Sequence, residues 1–425
     1  MEKDTAYQIS ASNVRFGPGV TQEVGMDLRD LGARRTLVLI DPAVRALPVG
    51  EVVAEALQEA RVSYEVFDRI AVEPTDSSFQ EAIAAATADS FDSFVAVGGG
   101  STIDTAKAAN LYSTYPADFL DYVNAPIGKG LPVPGPVKPL IAIPTTAGTG
   151  SETTGVAIFD YLQNRAKTGI AHRTLKPTLG LVDPQNTRSL PPAVAASTGL
   201  DVLSHALESY TAAPYNQRPR PARPLERPAY QGSNPISDIW ALRALELVNS
   251  YLVRAVRDPS DEEARGQMML AAAMAGIGFG NAGVHLPHGM SYPVAGMVKS
   301  YRHPGYAIDH PLIPHGISVI LHTPAVVRFT APASPERHLR AAAALGASVT
   351  DVPAEAAGEI LASRVTELMR VLDVPNGLEA VGYTEADIPA LVEGTLPQHR
   401  VTKLSPIPAG RDELSALFRA SMRIW

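Results

Sequence analysis

Histidine is the residue type with the widest chemistry in this sequence, because its imidazole binds divalent metals and carries protons near neutral pH. Six of the ten histidines fall between positions 285 and 322: His285, His288, His303, His310, His315 and His322. A lone histidine is most often structural. This density, in a chain with no cysteine, is a better metal candidate. Asp201 and His205, in GLDVLSHALE, are four residues apart, which puts both on one face of a helix. Taken by themselves they read more simply as an ordinary polar pair. With His288 (HGMSYP) and His315 (IPHGIS) they offer one carboxylate and three imidazoles, a donor set suited to divalent iron or zinc. Spacing alone does not select His288 and His315 from the six.

A second group of residues suits a nucleotide. Gly98-Gly99-Gly100-Ser101 follows the apolar run SFVAV and precedes a helical stretch in which Ser101 is expected as N-cap. Residues without Cβ let backbone N–H groups approach a phosphate, and the helix N-terminus adds partial positive charge. The run is not GxGxxG, and a tight turn explains it equally well. Asp41 ends another apolar run, TLVLID, where an acid suits a ribose hydroxyl and repels a 2′-phosphate; with Pro42 next, it suits a turn cap too. PTTAGTGSE (144–152) adds hydroxyls and amides at a further strand end. Two such loops with an acid favour a nucleotide site over a chance turn.

The elements that must carry these residues change character along the chain. Thr36–Asp41, Val62–Asp68, Ser93–Val97 and Leu140–Ile143 read as buried strands alternating with helices, the pattern of a parallel sheet covered on both faces. From about Pro192 the periodicity is helical almost to the end, over Ala193–Ala212, Ile236–Arg257, Glu262–Gly276, Leu339–Leu345, Ala354–Leu372, Glu385–Glu393 and Arg411–Trp425. This predicts an α/β dinucleotide-binding domain over 1–190 and an all-α, metal-binding domain over 191–425. The Pro- and Arg-rich stretch 214–228 is expected as a solvated loop.

Composition narrows the function. The chain has 425 residues, 45% hydrophobic and 19% charged, enough for large cores. A net charge of −8 argues against nucleic-acid binding, which needs a basic face. The absence of cysteine excludes disulfides, thiolate zinc sites and cysteine nucleophiles. No apolar run reaches the roughly 18–20 residues of a membrane span, and MEKDTAYQIS has no signal-peptide core. A cytoplasmic enzyme without membrane or nucleic-acid partners is the expectation.

Five motifs, FGPGVTQEVG, VAVGGGSTIDTAKA, IPTTAGTGSE, GLDVLSHALE and IPHGISV, spread over essentially the whole chain, resemble the iron-dependent (group III) alcohol dehydrogenases, which share a fold with dehydroquinate synthase. The resemblance implies metal ligation by Asp201, His205, His288 and His315. It implies a pyrophosphate loop at Gly98, Gly99, Gly100 and Ser101, a threonine-rich cofactor loop at Thr145, Thr146 and Thr149, a ribose acid at Asp41, and Lys167 near the cofactor. NAD(H), tightly bound through the cycle, and a homo-oligomer of two or more copies are expected with it.

Three stretches, RPAYQGSNPISDIWA (227–241), GIGFGNAGVHLPHGMSYPVAG (276–296) and DHPLIPHGISV (309–319), resemble more narrowly the hydroxyacid–oxoacid transhydrogenase branch. Many simple dehydrogenases of the family carry a second histidine four residues after the third ligand. Here that position is Tyr292, which leaves the proton relay to Tyr292 or to a metal-linked water. The branch implies 4-hydroxybutyrate and 2-oxoglutarate as substrates. Both are carboxylates, so a cation is expected to bind them, and Lys299, Arg302, Arg218, Arg220 and Arg223 are the sequence candidates. An ordinary NAD-dependent alcohol dehydrogenase is the alternative. A metal-dependent cyclase or lyase of the dehydroquinate synthase type ranks last, because the motifs around His288 are not notably basic.

Overall fold

The computed structural model describes residues 2–164, 166–306 and 309–425. They form two compact units, Ser10–Leu190 and Pro191–Trp425, the second joined by the N-terminal segment through Ile9. That segment departs from the expected 1–190 grouping for an electrostatic reason. Asp4 is buried and accepts from Arg227 at 2.9 Å and Arg218 at 2.8 Å. The same pairs correct the expectation for stretch 214–228. It contains the short 3-10 turns Tyr215–Gln217 and Pro224–Glu226, and two of its arginines are held by a buried carboxylate rather than by water.

The first unit is built on strands β1 (Val14–Phe16), β2 (Arg35–Ile40), β3 (Ser63–Phe67), β4 (Ser93–Gly98), β5 (Leu140–Pro144), β6 (Val156–Tyr161), β7 (Ala166–Ala171) and β8 (Leu179–Val182). Six of them form a parallel sheet in the order β1-β8-β5-β4-β2-β3, and β6 and β7 form a separate antiparallel pair. The central strands β4 and β5 are buried at every position and, after Ser93, carry no polar side chain, as a sheet covered on both faces requires, whereas β3 at the edge is largely exposed. Alternation sends Val95 and Val97 into one core with Leu28, Val53 and Leu57, and Phe94 and Ala96 into another with Phe67, Ala82 and Ile103.

Register fixes where the loops leave. Ile40 pairs with Val97, and Gly98 pairs with Pro144, so Asp41, the glycine run and the threonine loop start at one level at the carboxyl ends of β2, β4 and β5. Strand order reverses between β2 and β4, and in open α/β sheets ligands bind at that switch point.

The second unit is helical. The helix Pro192–Thr211 is buried on almost every side from Ala195 on, which makes it the centre of the unit. Pro235–Arg257, Glu262–Ala282 and His315–Ile320 pack on it. Leu286–Gly296 follows Glu262–Ala282 after a bend of 104°, and it continues through Pro293. Among the described residues no single helix is long and apolar enough to cross a membrane.

Candidate functional site

In the helical unit, packing gathers side chains that the sequence scatters. Asp201 and His205 sit one turn apart on Pro192–Thr211, both buried. His288 lies in the first turn of Leu286–Gly296, and His315 opens His315–Ile320. Gly316 makes the last approach possible: a Cβ there would lie 1.9 Å from the Ser197 carbonyl oxygen and 3.1 Å from Asp201 Cβ. Any other residue would push His315 off the helix that bears Asp201.

Donor atoms of Asp201, His288 and His315 converge within 4.8 Å of one another, and His205 stands outside that group, adjoining it through His288. His288 Nε2 stands 3.1 Å from His205 Nε2 and 3.6 Å from Asp201 Oδ1, and His315 Nε2 is 3.8 Å from the same oxygen. Metal–nitrogen bonds near 2.1 Å put two adjacent donors about 3.0–3.4 Å apart, so the pair of Nε2 atoms has ion-sharing spacing. The carboxylate distances are too long for good hydrogen bonds and suit ligands set around an ion. Asp201 Oδ1 and His205 Nδ1 are buried without hydrogen-bond partners, a costly state that a bound cation would relieve at Asp201 Oδ1. Burial pushes the Asp201 carboxyl up, but the imidazoles of His205, His315 and His288 outweigh it and hold the carboxyl below its usual range. His205 is pulled down to about 3, chiefly by burial, which keeps its ring neutral and able to ligate.

Sequence reasoning missed Glu208. It is buried on the same helix, seven residues after Asp201 and so on the same face, the one signal that would have found it. Its Oε1 lies 2.6 Å from His288 Nδ1, and its Oε2 accepts from the His285 backbone N–H at 2.7 Å. The carboxylate therefore accepts a hydrogen bond from Nδ1–H, leaves Nε2 facing Asp201, and caps the start of Leu286–Gly296. Burial opposes charge on His288, yet Glu208 and Asp201 raise it to about 10, so without a metal both ring nitrogens hold protons and ligation displaces the one on Nε2. Phe279 stacks flat on His205 at 3.9 Å and fixes that ring as well.

The other histidines go elsewhere. His285 Nε2 meets Thr211 Oγ1 at 3.0 Å, His303 meets the Tyr301 hydroxyl at 2.9 Å, and His310 lies beside Asp309 on the surface. His322 is buried beside Phe418. Tyr292 is buried one turn beyond His288, and its hydroxyl accepts from Arg400 Nη2 at 3.2 Å.

In the α/β unit, the helix Gly100–Thr114 begins at Gly99, which correct the expected N-cap. Ser101 lies inside the first turn, and its hydroxyl accepts from the Glu73 N–H at 3.2 Å. No side chain caps this helix, so its leading amides stay open to an anion. A Cβ on Gly100 would lie 2.5 Å from Thr149 Cγ2, and one on Gly99 3.2 Å from Thr146 Oγ1. The two loops thus meet, glycine against threonine, in a cradle that side chains would fill. Thr145 is tied to β4, its N–H donating to Gly98 O at 3.0 Å. Asp41 uses Oδ1 to cap its own turn, accepting from the Ala43 N–H at 2.8 Å.

Lys167, on β7, is buried with Glu73 at 2.6 Å and Asp160 at 3.0 Å. Burial lowers its pKa, but the two carboxylates overcome that and leave it raised. Its charge is thus matched by acids, one of them on the segment that bonds Ser101. A second buried cluster was invisible to motif reading. Lys107 donates to Ser151 Oγ at 2.6 Å and to Val156 O at 2.8 Å, and Asp104 accepts from the Ile158 N–H at 2.9 Å. These bonds pin Gly100–Thr114 to the threonine loop and β6. Glu152, nearby, is pushed up to about 7 by burial.

A parallel-sheet unit with an open helix N-terminus at its switch point, and a helical unit that draws Asp201, His288 and His315 together, match one family along most of the chain. The iron-containing alcohol dehydrogenase model matches residues 11–184, and the C-terminal model of the Fe-containing alcohol dehydrogenase family matches 226–422. The chain belongs to the iron-containing alcohol dehydrogenases. It is 58% identical over 424 residues to the mitochondrial hydroxyacid-oxoacid transhydrogenase of Bos taurus, covering 99% of this chain and 91% of that protein. The Xenopus tropicalis protein of the same name is 59% identical over 422 residues, with the same coverage. Among solved structures, a 1,3-propanediol oxidoreductase superposes with a TM-score of 0.85 at 26% identity, over 98% of this chain and 100% of its own. Sulfoacetaldehyde reductase from Bifidobacterium kashiwanohense, in complex with NAD+, gives 0.80 at 26% identity, over 99% of both chains. The α/β-plus-helical, dehydroquinate synthase-like class and the oxidoreductase reading stand.

The cytoplasmic expectation does not. The bovine, human and Dictyostelium relatives are all named mitochondrial, which overturns it. The physical reason is simple: an absence of cysteine separates reducing from oxidising compartments, and not one reducing compartment from another.

Proposed function

We propose that this protein is a hydroxyacid–oxoacid transhydrogenase, moving hydride from 4-hydroxybutyrate to 2-oxoglutarate and giving succinate semialdehyde and 2-hydroxyglutarate. The observation that carries the activity is the 58% identity along 99% of the chain to enzymes of that name. The reaction is redox-neutral: one hydride and one proton leave the hydroxy acid, and one of each enters the oxo acid.

Asp201, His205, His288 and His315 are the proposed ligands of Fe2+ or Zn2+, which accept the same donors. The loops at Gly98–Ser101 and Thr145–Thr149 are the proposed cradle for the NAD pyrophosphate, with Asp41 toward the ribose and Lys167 beside the loop. When bound, the metal supplies a Lewis acid for the reacting oxygen and the nicotinamide a hydride acceptor. The chain's own residues do the rest. Glu208 holds the His288 ring in one tautomer. The Tyr292 hydroxyl oxygen is occupied by an Arg400 N–H, so its proton is directed elsewhere, and Tyr292 is the proposed donor to the reacting oxygen.

The test is to mix deuterium-labelled 4-hydroxybutyrate with 2-oxoglutarate, without added NAD, and follow label into 2-hydroxyglutarate. Transfer is expected. No transfer, with stoichiometric NADH release when NAD is added, would leave an ordinary dehydrogenase.

A further inference from the structure

Five cations named from the sequence as carboxylate anchors are placed differently by the fold. Lys299 pairs with Asp387 at 2.7 Å, Arg218 with Asp4 at 2.8 Å and Arg220 with Glu2 at 3.0 Å. Arg223 is exposed beside Glu226, and Arg302 bridges Leu312 through its backbone. Arg400 differs. Its Nη2 donates to Tyr292, its guanidinium lies 5.0 Å from the Tyr230 ring centre, and its Nη1 is shielded from solvent with no partner. Among the described residues no carboxylate forms an ion pair with it. Lys403, one turn on, adds a second positive charge close enough for Arg400 to lower its pKa further after burial. A shielded guanidinium N–H that lacks an acceptor is costly, and an anion is its natural complement.

Two chains of contact link Arg400 to the metal-site residues. Tyr292 is one helical turn from His288, about 6 Å along the axis. Tyr230 packs edge-on to Phe279 at 6.3 Å, and Phe279 stacks on His205. Gly289, next to His288, has room only for hydrogen, because a Cβ would lie 2.6 Å from Thr402 Cγ2. The turn that carries Arg400 therefore presses on the helix that carries His288.

We propose that Arg400 binds the substrate carboxylate that lies three carbon–carbon bonds from the reacting carbon. This rests on the hydroxyacid reading above and deepens it. In 4-hydroxybutyrate the reacting C4 is three bonds from the C1 carboxylate. In 2-oxoglutarate the reacting C2 is three bonds from the C5 carboxylate. Three such bonds span about 4 Å, so one fixed cation serves both substrates in turn, and a simple alcohol leaves the guanidinium unpaired. The anchor belongs to neither of the two long motifs around His288 and His315, and only the contact with Tyr292 and Tyr230 marks it.

The experiment uses the holoenzyme with Arg400→Met, which keeps length and loses charge, and Arg400→Lys, which keeps charge and loses the planar fork. Glutarate, an unreactive diacid, is titrated by calorimetry, and KM for both substrates is read in the deuterium-transfer assay. Arg400→Met is expected to weaken glutarate binding and raise both KM values about 10- to 100-fold, with metal content unchanged. Arg400→Lys should fall between the two, and it decides the matter if the Met variant does not fold. Glutarate binding and KM values within about twofold of wild type in either folded variant would overturn the anchor. A wild type that transfers no deuterium, yet binds glutarate through Arg400, would reject the transhydrogenase reading and keep the anchor.

Discussion

Replacing Glu208 separates the role of the donor set from the role of what holds it. The carboxylate accepts from His288 Nδ1 at 2.6 Å and from the His285 N–H at 2.7 Å, and it is 1% exposed. Glu208→Ala leaves these two closely bonded donors unsatisfied, besides the His288 backbone N–H, whose 3.4 Å contact is long and adds little. At about 1–3 kcal/mol each, the cost is about 2–6 kcal/mol of metal-free stability. Glu208→Gln keeps the shape but offers one acceptor where two are needed, so about 1.5–3 kcal/mol is lost. The glutamine variant also removes the negative charge behind His288, which weakens metal affinity about 10- to 100-fold, as loss of such an outer partner does. Urea unfolding of the metal-free proteins reads the first quantity, and competition against a metal chelator followed by elemental analysis reads the second. A folded Glu208→Gln protein that competes for metal as well as wild type would refute the orientation argument, because Glu208 is the carboxylate that His288 Nδ1 meets.

Three further outcomes are expected. His205→Ala should lose bound metal and turnover, while His285→Ala, whose ring bonds Thr211, should keep its metal; full occupancy by elemental analysis in the first variant would remove His205 from the ligand set. Asp41 should favour NAD over NADP through repulsion of the 2′-phosphate, and equal binding of both by calorimetry, unchanged in Asp41→Ala, would leave Asp41 as a turn cap only. Glu152 is held near 7 from an ordinary 4.5 by burial, so the folded state keeps a proton that the unfolded chain releases. Its contribution is complete below 4.5 and is lost as pH rises to about 7, and Glu152→Gln should therefore gain stability over wild type across that interval. A urea-midpoint difference between the two that does not change from pH 4.5 to 7 would contradict this.

Local signals carried a great deal. Apolar runs of four to six residues leading into Asp41, Gly98 and Pro144 announced buried parallel strands, because strands covered on both faces need no polar alternation. The 3.6-residue period marked the long helices, and the four-residue spacing of Asp201 and His205 put two donors on one face before any contact was known. The α/β and helical halves were legible for the same reason. Short or irregular pieces were not: β1 has three residues, and Leu286–Gly296 runs through Pro293, which breaks the helical reading.

What needed the tertiary structure is every relation between distant positions. By spacing the six clustered histidines are equivalent, and the motif resemblance singles out His288 and His315 without a physical reason. Packing supplies it: His315 approaches Asp201 because Gly316 lets two helices touch, His288 stands 3.6 Å from the same carboxylate, and His285 is 3.0 Å from Thr211. The same holds for charge. Lys299, Arg220 and Arg400 look alike as residue types, but the first two meet carboxylates and the third meets two tyrosines. A sequence specifies which groups are present and their periodicity on one element. Which side chains converge, and which buried group lacks a partner, are properties of the whole unit's packing: convergence on Asp201 marks the metal donors, and a shielded guanidinium nitrogen without an acceptor or a carboxylate marks the anchor.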